Sequence, residues 1–127
     1  MTENSTIRPS ELRVSKGRQS LTVVFENGET FNLPAEALRV MSPSAEVQGH
    51  SADQRVTVPG KRQVCISGVE PVGNYAVKIA FDDGHDTGIF TWKYLHELGS
   101  ELDSRWSDYL AELEDKGMSR DRAEVPR

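Results

Sequence analysis

One short stretch of the sequence holds most of the side chains that are able to do chemistry. Within residues 81–99, which read FDDGHDTGIFTWKYLHELG, His85 follows a two-residue turn and stands beside Asp82, Asp83 and Asp86. Imidazole and carboxylate groups bind metals, or exchange protons when a cleft separates their pKa values. Aspartate also favours turns and keeps strand ends soluble without any further role. His85 is therefore a candidate metal ligand, a candidate catalytic group, or the polar end of a hairpin.

Cys65 and His96 are weaker candidates for a chemical role. Cys65 is the single cysteine of the chain and forms no internal disulfide. It lies in a predicted strand on the face opposite Val64 and Ile66, with no cationic neighbour in sequence to activate its thiol, so we expect an inert residue. His96 stands among charged helical residues and is expected to be solvated. No Ser/His/Asp or Cys/His pattern supports nucleophilic catalysis, so we predict no catalytic residue and no cofactor.

Alternating apolar residues and tight turns predict about six to seven short strands. Residues 11–33 give three of them, with Leu21, Val23 and Phe25 on one face. The Asn-Gly pair at 27–28 predicts a hairpin turn, because both central positions of such a turn adopt positive φ.

The remaining strands are predicted over residues 64–90. The Asp-Gly pair at 83–84 closes a hairpin there, and the returning strand over residues 85–90 has Gly88 as a candidate bulge. One predicted face of the preceding strand carries Tyr75, Val77, Ile79 and Phe81. Between the two groups, residues 34–41 predict one or two helical turns, and residues 42–61 an irregular loop with a short strand inside it.

A long amphipathic helix is predicted after Thr91, which is its expected N-cap. Its apolar stripe is formed by Leu95, Leu98, Leu102, Trp106, Tyr109 and Leu113. Gly99 lies inside the pattern and is a candidate bend. The stripe extends over about 27 Å, which exceeds one small sheet, so Trp106, Tyr109 and Leu113 are predicted to face a partner. The predicted class is α+β, an antiparallel sheet or partial barrel packed by this C-terminal helix.

The totals place the chain among small globular proteins and disfavour several function classes. It has 127 residues, 36% of them apolar, and a net charge of -5. Residues 1–10 predict a disordered arm, residues 11–116 a single domain and residues 117–127 a frayed tail. The absence of a basic patch disfavours nucleic acid, and the absence of a basic amphipathic helix or long apolar run disfavours a membrane. A polar N-terminus and the lone cysteine predict a cytoplasmic protein.

Two segments of the chain resemble a known family. Residues 33–50 (LPAEALRVMSPSAEVQGH) and 74–99 (NYAVKIAFDDGHDTGIFTWKYLHELG) resemble the gamma-butyrobetaine hydroxylase-like N-terminal domain family. The resemblance extends over residues 12–99. In the hydroxylases this domain precedes a catalytic domain with iron and 2-oxoglutarate, and 127 residues are too few for both, so no hydroxylase activity is implied. Relatives that stand alone in bacteria, or are fused to iron–sulfur carrier ATPases, imply an accessory role.

The resemblance also bears on metal binding. The hydroxylase version holds a structural zinc with a C-x-C-x-x-C run and a later histidine, which matches His85. The cysteine positions fall on Ser42, Ser44 and Val47, none of which supplies a thiolate. The resemblance therefore implies that the zinc is missing and that Ser42, Ser44 and His85 clamp the loop by hydrogen bonds.

A weaker metal site is the alternative. If the loop folds as in the relatives, His50 comes near His85, and Glu46 or Asp86 completes a set of histidine and carboxylate ligands for zinc or iron. The predicted function is a non-enzymatic, cytoplasmic module that binds another protein. The alternatives are a metal-binding or iron–sulfur assembly accessory protein, and a regulatory subunit of a separate oxygenase.

Overall fold

The computed structural model describes residues 8–48 and 56–121, and the side chains of Ala45 and Glu46 lie outside that description. Six strands form two antiparallel sheets of three strands each, in the orders β1-β2-β3 and β4-β5-β6. The strands are β1 (Pro9–Val14), β2 (Ser20–Phe25), β3 (Thr30–Pro34), β4 (Ile66–Val72), β5 (Ala76–Phe81) and β6 (Gly88–Thr91). The helices are α1 (Ala35–Val40), α2 (Ala45–Gln48) and α3 (Trp92–Asp115). The predicted α+β class is confirmed.

The first sheet follows the alternation in the sequence. Leu21, Val23 and Phe25 are buried on the face of β2 that turns towards the core. Across the ladder, Leu21 pairs with Leu33 and Val23 with Phe31, so the apolar face continues onto β3. Because side chains alternate between the two faces of a strand, this register places one apolar set on a single side.

The second sheet buries Val77, Ile79 and Phe81 of β5. Tyr75 was predicted on the same face, but it is about half exposed because it precedes β5 in the turn that follows Val72. The returning strand β6 begins at Gly88, so the predicted start at residue 85 is wrong. Gly88 pairs in register with Ile79 and is not a bulge.

Helix α3 is continuous over 24 residues, and Thr91 caps it by accepting a hydrogen bond from the Tyr94 N–H. Gly99 therefore does not split the helix. A Cβ at Gly99 would lie 2.3 Å from the Phe31 ring, so glycine there allows the helix to approach β3 closely. Leu95, Leu98, Tyr109 and Leu113 of the stripe are buried.

Three further expectations need correction. His96 is only partly solvated, since its ring packs edge-on against Phe25 and Phe31 and its Nε2 lies 2.7 Å from Glu29 Oε1. β1 begins at Pro9, inside the stretch predicted as a disordered arm. Residues 56–58 form no strand. No helix in the described part of the chain has the length and apolar character needed to cross a bilayer.

Both predicted hairpin glycines adopt positive φ, at 93° for Gly28 and 92° for Gly84. We expect Gly28→Ala and Gly84→Ala each to lower the free energy of unfolding by about 1 kcal/mol or more, because a Cβ is strained at positive φ. Urea unfolding measures this. Gly17→Ala is the matched control, since Gly17 has ordinary φ and open space around its Cα. Equal stability of all three variants would contradict the assigned turns.

Candidate functional site

The histidine singled out by the sequence is buried against the loop that follows α1. His85 Nε2 and the Ser42 hydroxyl are 3.0 Å apart, and Ser42 is fully buried. The Ser42 Oγ also accepts a hydrogen bond from the Ser44 N–H at 3.2 Å. The ring of His85 stacks at a tilt on Phe81. Turn and loop are thus joined by a buried polar pair, and the clamping role of that pair remains a prediction.

One further contact ties the loop to the hairpin, and another joins two residues within the loop. The Ser44 and Thr87 hydroxyls are 2.8 Å apart, and the Gln48 side-chain amide donates to the Ser42 carbonyl at 2.9 Å. A Cβ at Gly88 would lie 2.4 Å from the Ser42 Oγ. Only glycine at the start of β6 therefore leaves room for the buried hydroxyl.

The residues at this junction do not fit a structural zinc. Ser42, Ser44 and Val47 are all buried near the hairpin, but they offer two neutral hydroxyls and an alkyl group. Zinc in closed sites is held by thiolates and imidazoles, and His85 supplies a single such ligand. Both hydroxyls already form hydrogen bonds to protein groups.

The alternative site of histidine and carboxylates is only partly visible. His50 and the side chain of Glu46 lie outside the described residues, and Asp86 is exposed. Within residues 8–48 and 56–121, no three histidine, cysteine or acidic side chains converge as metal ligands do. Cys65 lies just before β4, half-buried, and its N–H donates to Asp82 Oδ1 at 3.0 Å.

Asp83 connects the His85 turn to two other parts of the molecule. Its Oδ1 accepts the His85 backbone N–H at 3.1 Å. Its Oδ2 accepts from Arg39 Nε at 2.7 Å and from Lys61 Nζ at 2.5 Å. Burial raises the pKa of this carboxyl, but hydrogen bonds from Lys61 and the other two donors outweigh that effect and hold the pKa at about 2. Asp83 is therefore ionised at neutral pH and fixes the turn.

Beside this turn lies a surface cleft of about 820 Å³. Three segments line it: residues 59–64, the turn residues Asp82 and Asp83, and residues 117–121, which we call the tail segment. Its charged lining comprises one ammonium, Lys61, and three carboxylates, from Asp82, Asp83 and Asp121. Met118 contributes an apolar side chain that is 40% exposed. The lining thus holds three carboxylates to one ammonium, together with one exposed apolar side chain.

The tail segment is ordered against the domain, so its predicted fraying is wrong for residues 117–121. The Gly60 N–H donates to the Ser119 carbonyl at 2.9 Å, and the Arg62 N–H donates to the Arg120 carbonyl at 3.0 Å. The Arg62 guanidinium also pairs with the Asp121 carboxylate at 2.6 Å. These bonds hold the tail as one wall of the cleft.

Arg120 does not line the cleft and forms a two-pronged ion pair with Glu36. Its Nε and Nη2 donate to the two carboxylate oxygens at 2.8 and 2.7 Å, and its guanidinium carbon lies 5.2 Å from the Trp106 ring centre. Glu36 is 6% exposed although it is charged. The hydrogen bond to Glu36 raises the pKa of Arg120. Burial, together with the charge of Glu36, raises the pKa of Tyr109 to about 12.

The predicted partner face on α3 is wrong for Tyr109 and Leu113, because both are buried within the chain. The Tyr109 hydroxyl donates to the Val58 carbonyl, and the Trp106 ring contacts Tyr109 on one side and Arg120 on the other. The apolar stripe of α3 extends beyond the two sheets, as its predicted length indicated. Residues 57–58 and the tail segment cover this last part of the stripe.

Sequence reasoning missed the cleft and the Glu36–Arg120 pair. The two partners are 84 positions apart, and each looks like an ordinary surface charge in its own segment. The sequence carried only a weak signal for these two features. It consisted of a long loop without periodicity and an apolar stripe on α3 that is longer than the sheets can cover. Both features indicated that some further segment had to pack there.

We expect His85→Ala to lower the free energy of unfolding by about 1–2 kcal/mol, because Ser42 loses a buried hydrogen-bond partner. Amide hydrogen exchange over residues 42–48 should speed up at the same time. His85→Gln is the matched variant, since its amide reaches towards the position of Nε2 and should restore part of the loss. Unchanged stability and exchange in His85→Ala would show that His85 does not clamp the loop.

We also expect the purified protein to hold no stoichiometric zinc, because its donor set lacks thiolates. Elemental analysis after purification without chelators measures this. The triple variant Ser42→Cys, Ser44→Cys and Val47→Cys is the positive control, since it restores three thiolate donors in the spacing of the zinc-binding relatives. About one zinc per unsubstituted chain would overturn the expectation.

The chain is similar to several solved structures. Two NMR solution structures are 50% and 44% identical to it, with TM-scores of 0.82 and 0.79. The first match covers 95% of both chains, and the second covers 100% of this chain and 98% of the other. A crystal structure of a protein with unknown function from Acidithiobacillus ferrooxidans, of the DUF971 family, is 40% identical with a TM-score of 0.61, covering 74% of this chain and 94% of that chain.

A search among curated proteins finds no match to this chain. The family model described as gamma-butyrobetaine hydroxylase-like, N-terminal, matches residues 12–96, which contain the α1 loop, the His85 turn and the first turn of α3. This match covers more than half of the chain. The motif at residues 33–50 lies within the match, and the motif at residues 74–99 extends just beyond its end. The chain therefore belongs to the gamma-butyrobetaine hydroxylase-like N-terminal domain family.

Proposed function

We propose that this protein is a non-enzymatic, cytoplasmic module that binds a segment of another protein in the cleft beside the His85 turn. The observation that carries the proposal is the composition of that cleft. An exposed methionine, three carboxylates and one ammonium line the same space of about 820 Å³. Binding sites are concave and combine apolar side chains with a few polar groups that fix the orientation of what they bind.

The charges of the cleft favour a basic partner segment. Lys61 shares Asp83 with Arg39, and Asp121 pairs with Arg62, whereas Asp82 forms no ion pair among the described residues and accepts the Cys65 N–H. A lysine or arginine next to an apolar residue complements this surface. The net charge of -5 argues in the same direction, against nucleic acid and anionic lipid.

Two features support a role without catalysis. The pKa of Asp83 is held at about 2, whereas a general acid or base works best with a pKa near the operating pH. Ser42 and His85 resemble half of a hydrolase triad, but Ser42 is fully buried and Phe90 and the β6 backbone crowd that region. A nucleophile needs access to a substrate carbonyl.

The cytoplasmic part of the proposal rests on the cysteine. Cys65 is free and half-buried, and its sulfur forms only weak contacts of 3.7 and 3.9 Å with the Gln63 and Gly17 carbonyls. A free thiol of this kind persists most readily in a reducing compartment.

The proposal is tested by two substitutions with a matched control. Met118→Glu and Asp82→Lys each change the cleft without touching the buried core, and Leu110→Glu changes an apolar side chain that is equally exposed, at 40%, on α3. We expect cross-linking capture from native cells to recover a protein partner with the parent chain and with Leu110→Glu. Recovery should fall at least tenfold with Met118→Glu and with Asp82→Lys.

The cross-linked segment of the partner should contain a lysine or arginine beside an apolar residue. Equal recovery with all variants would place the interface elsewhere and overturn the cleft as the binding site. Thermal unfolding of each variant checks that a loss of binding does not reflect a loss of folding.

A further inference from the structure

The ion pair behind the cleft has the construction of a recognition pocket for a guanidinium group. Glu36 of α1 presents both carboxylate oxygens, and Arg120 occupies them with two hydrogen bonds of 2.7 and 2.8 Å. The Trp106 ring of α3 lies against the guanidinium, at 5.2 Å from ring centre to guanidinium carbon. The Trp106 ring is itself supported by Tyr109, 5.1 Å away between ring centres. The pocket walls therefore belong to the domain, and only the filler comes from the tail.

These walls select arginine over lysine. A guanidinium is planar and matches both oxygens of a carboxylate at once, and its flat face stacks on an aromatic ring. An ammonium is a compact point charge that makes neither contact in the same geometry. Cation–π attraction to Trp106 adds to the preference for a cation at this position.

Arg120 is more exposed than the carboxylate that it occupies. The Arg120 side chain is 29% exposed, whereas the Glu36 side chain is 7% exposed. The tail segment follows the end of α3 through Gly117, whose φ is 67°, and two backbone hydrogen bonds and the Arg62–Asp121 ion pair join it to residues 60 and 62. If Arg120 left, Glu36 would be a buried carboxylate whose partner among the described residues is gone. Such a charge strongly favours a replacement cation.

We infer that the Glu36–Trp106 pocket is an arginine-recognition site, occupied in cis by Arg120, and that an arginine of a bound partner segment replaces Arg120. The partner half of this inference rests on the function proposed above, whereas the pocket half does not. Arg120 is tethered beside the pocket, so it competes at an effective concentration on the order of millimolar. Weak arginine ligands are therefore kept out. The tail segment also forms one wall of the cleft. A partner that contacts both the cleft and the Glu36–Trp106 pocket therefore gains enough binding free energy to displace Arg120.

The pocket is tested with the full-length chain and N-acetyl-arginine amide as the probe. Arg120→Ala removes the filler and keeps Glu36 and Trp106. The readout is the Trp106 indole N–H resonance in a ¹⁵N NMR titration, with the Trp92 indole, which donates to the Asn74 carbonyl, as the internal reference for folding. We expect saturable binding to Arg120→Ala and at least tenfold weaker binding to the parent chain. N-acetyl-lysine amide at the same ionic strength should bind at least tenfold more weakly than the arginine probe.

Two further variants keep the test decisive if Arg120→Ala folds poorly. Arg120→Lys retains a cation beside Glu36, so the arginine probe should displace the lysine and bind this variant more tightly than the parent chain. Glu36→Gln with Arg120→Ala removes the carboxylate and should abolish binding. If Arg120→Ala is unfolded, recovery of its fold by the arginine probe and not by the lysine probe supports the pocket.

The inference is overturned if the arginine probe binds the parent chain as tightly as it binds Arg120→Ala. It is also overturned if the arginine and lysine probes bind alike, or if the arginine probe still binds when Glu36→Gln is combined with Arg120→Ala. These outcomes leave the cleft substitutions at Met118 and Asp82 unaffected, so the pocket and the proposed function fail separately. If the pocket binds arginine but the captured partner segment carries no arginine, the displacement step is wrong and Arg120 is a permanent occupant.

Discussion

The fold depends on one constraint: two small sheets share a single helix as the cover for their apolar faces. A three-stranded sheet is independently stable only when its hydrophobic face is covered. Helix α3 contacts β3 of the first sheet and β6 of the second, and its buried Leu95 and Leu98 are part of one core cluster with residues of both sheets. Since β6 leads directly into α3, the cap at Thr91 fixes the direction of the helix. The positions of both sheets follow from that direction.

The length of α3 then determines what happens at the C-terminal end. At 24 residues and about 1.5 Å per residue the helix outruns the sheets, and its last apolar side chains need another cover. Residues 57–58 and the tail segment supply it, which brings Arg120 to Glu36. A buried carboxylate without a partner costs several kcal/mol. The tail is thus held by charge burial as much as by its own contacts, and it depends on how well the helix is placed.

Local features of this fold could be predicted from the sequence, and long-range pairings could not. Asn27-Gly28, Asp83-Gly84 and the alternation of β2 each carry their signal within a few residues, so the hairpins were predicted. The apolar stripe on α3 was also predicted, but the end of the stripe was predicted to face a partner. The residues near Trp106 in sequence do not indicate which distant segment of the chain covers it. The cleft was invisible for the same reason: it forms where three segments distant in sequence meet.

The junction at His85 connects a locally encoded turn to contacts between distant segments. A metal can hold a loop with few residues, but hydrogen bonds can do so as well if every buried polar group finds a partner. Ser42 meets this condition because its hydroxyl forms hydrogen bonds with His85 and with the Ser44 N–H. Gly88 leaves the room that this hydroxyl needs. The same turn carries Asp83, whose second oxygen holds Lys61 at the edge of the cleft. The backbone of this turn, through the His85 N–H that donates to Asp83, therefore joins the buried Ser42–His85 pair to the wall of the cleft, so a shift of the turn would move both.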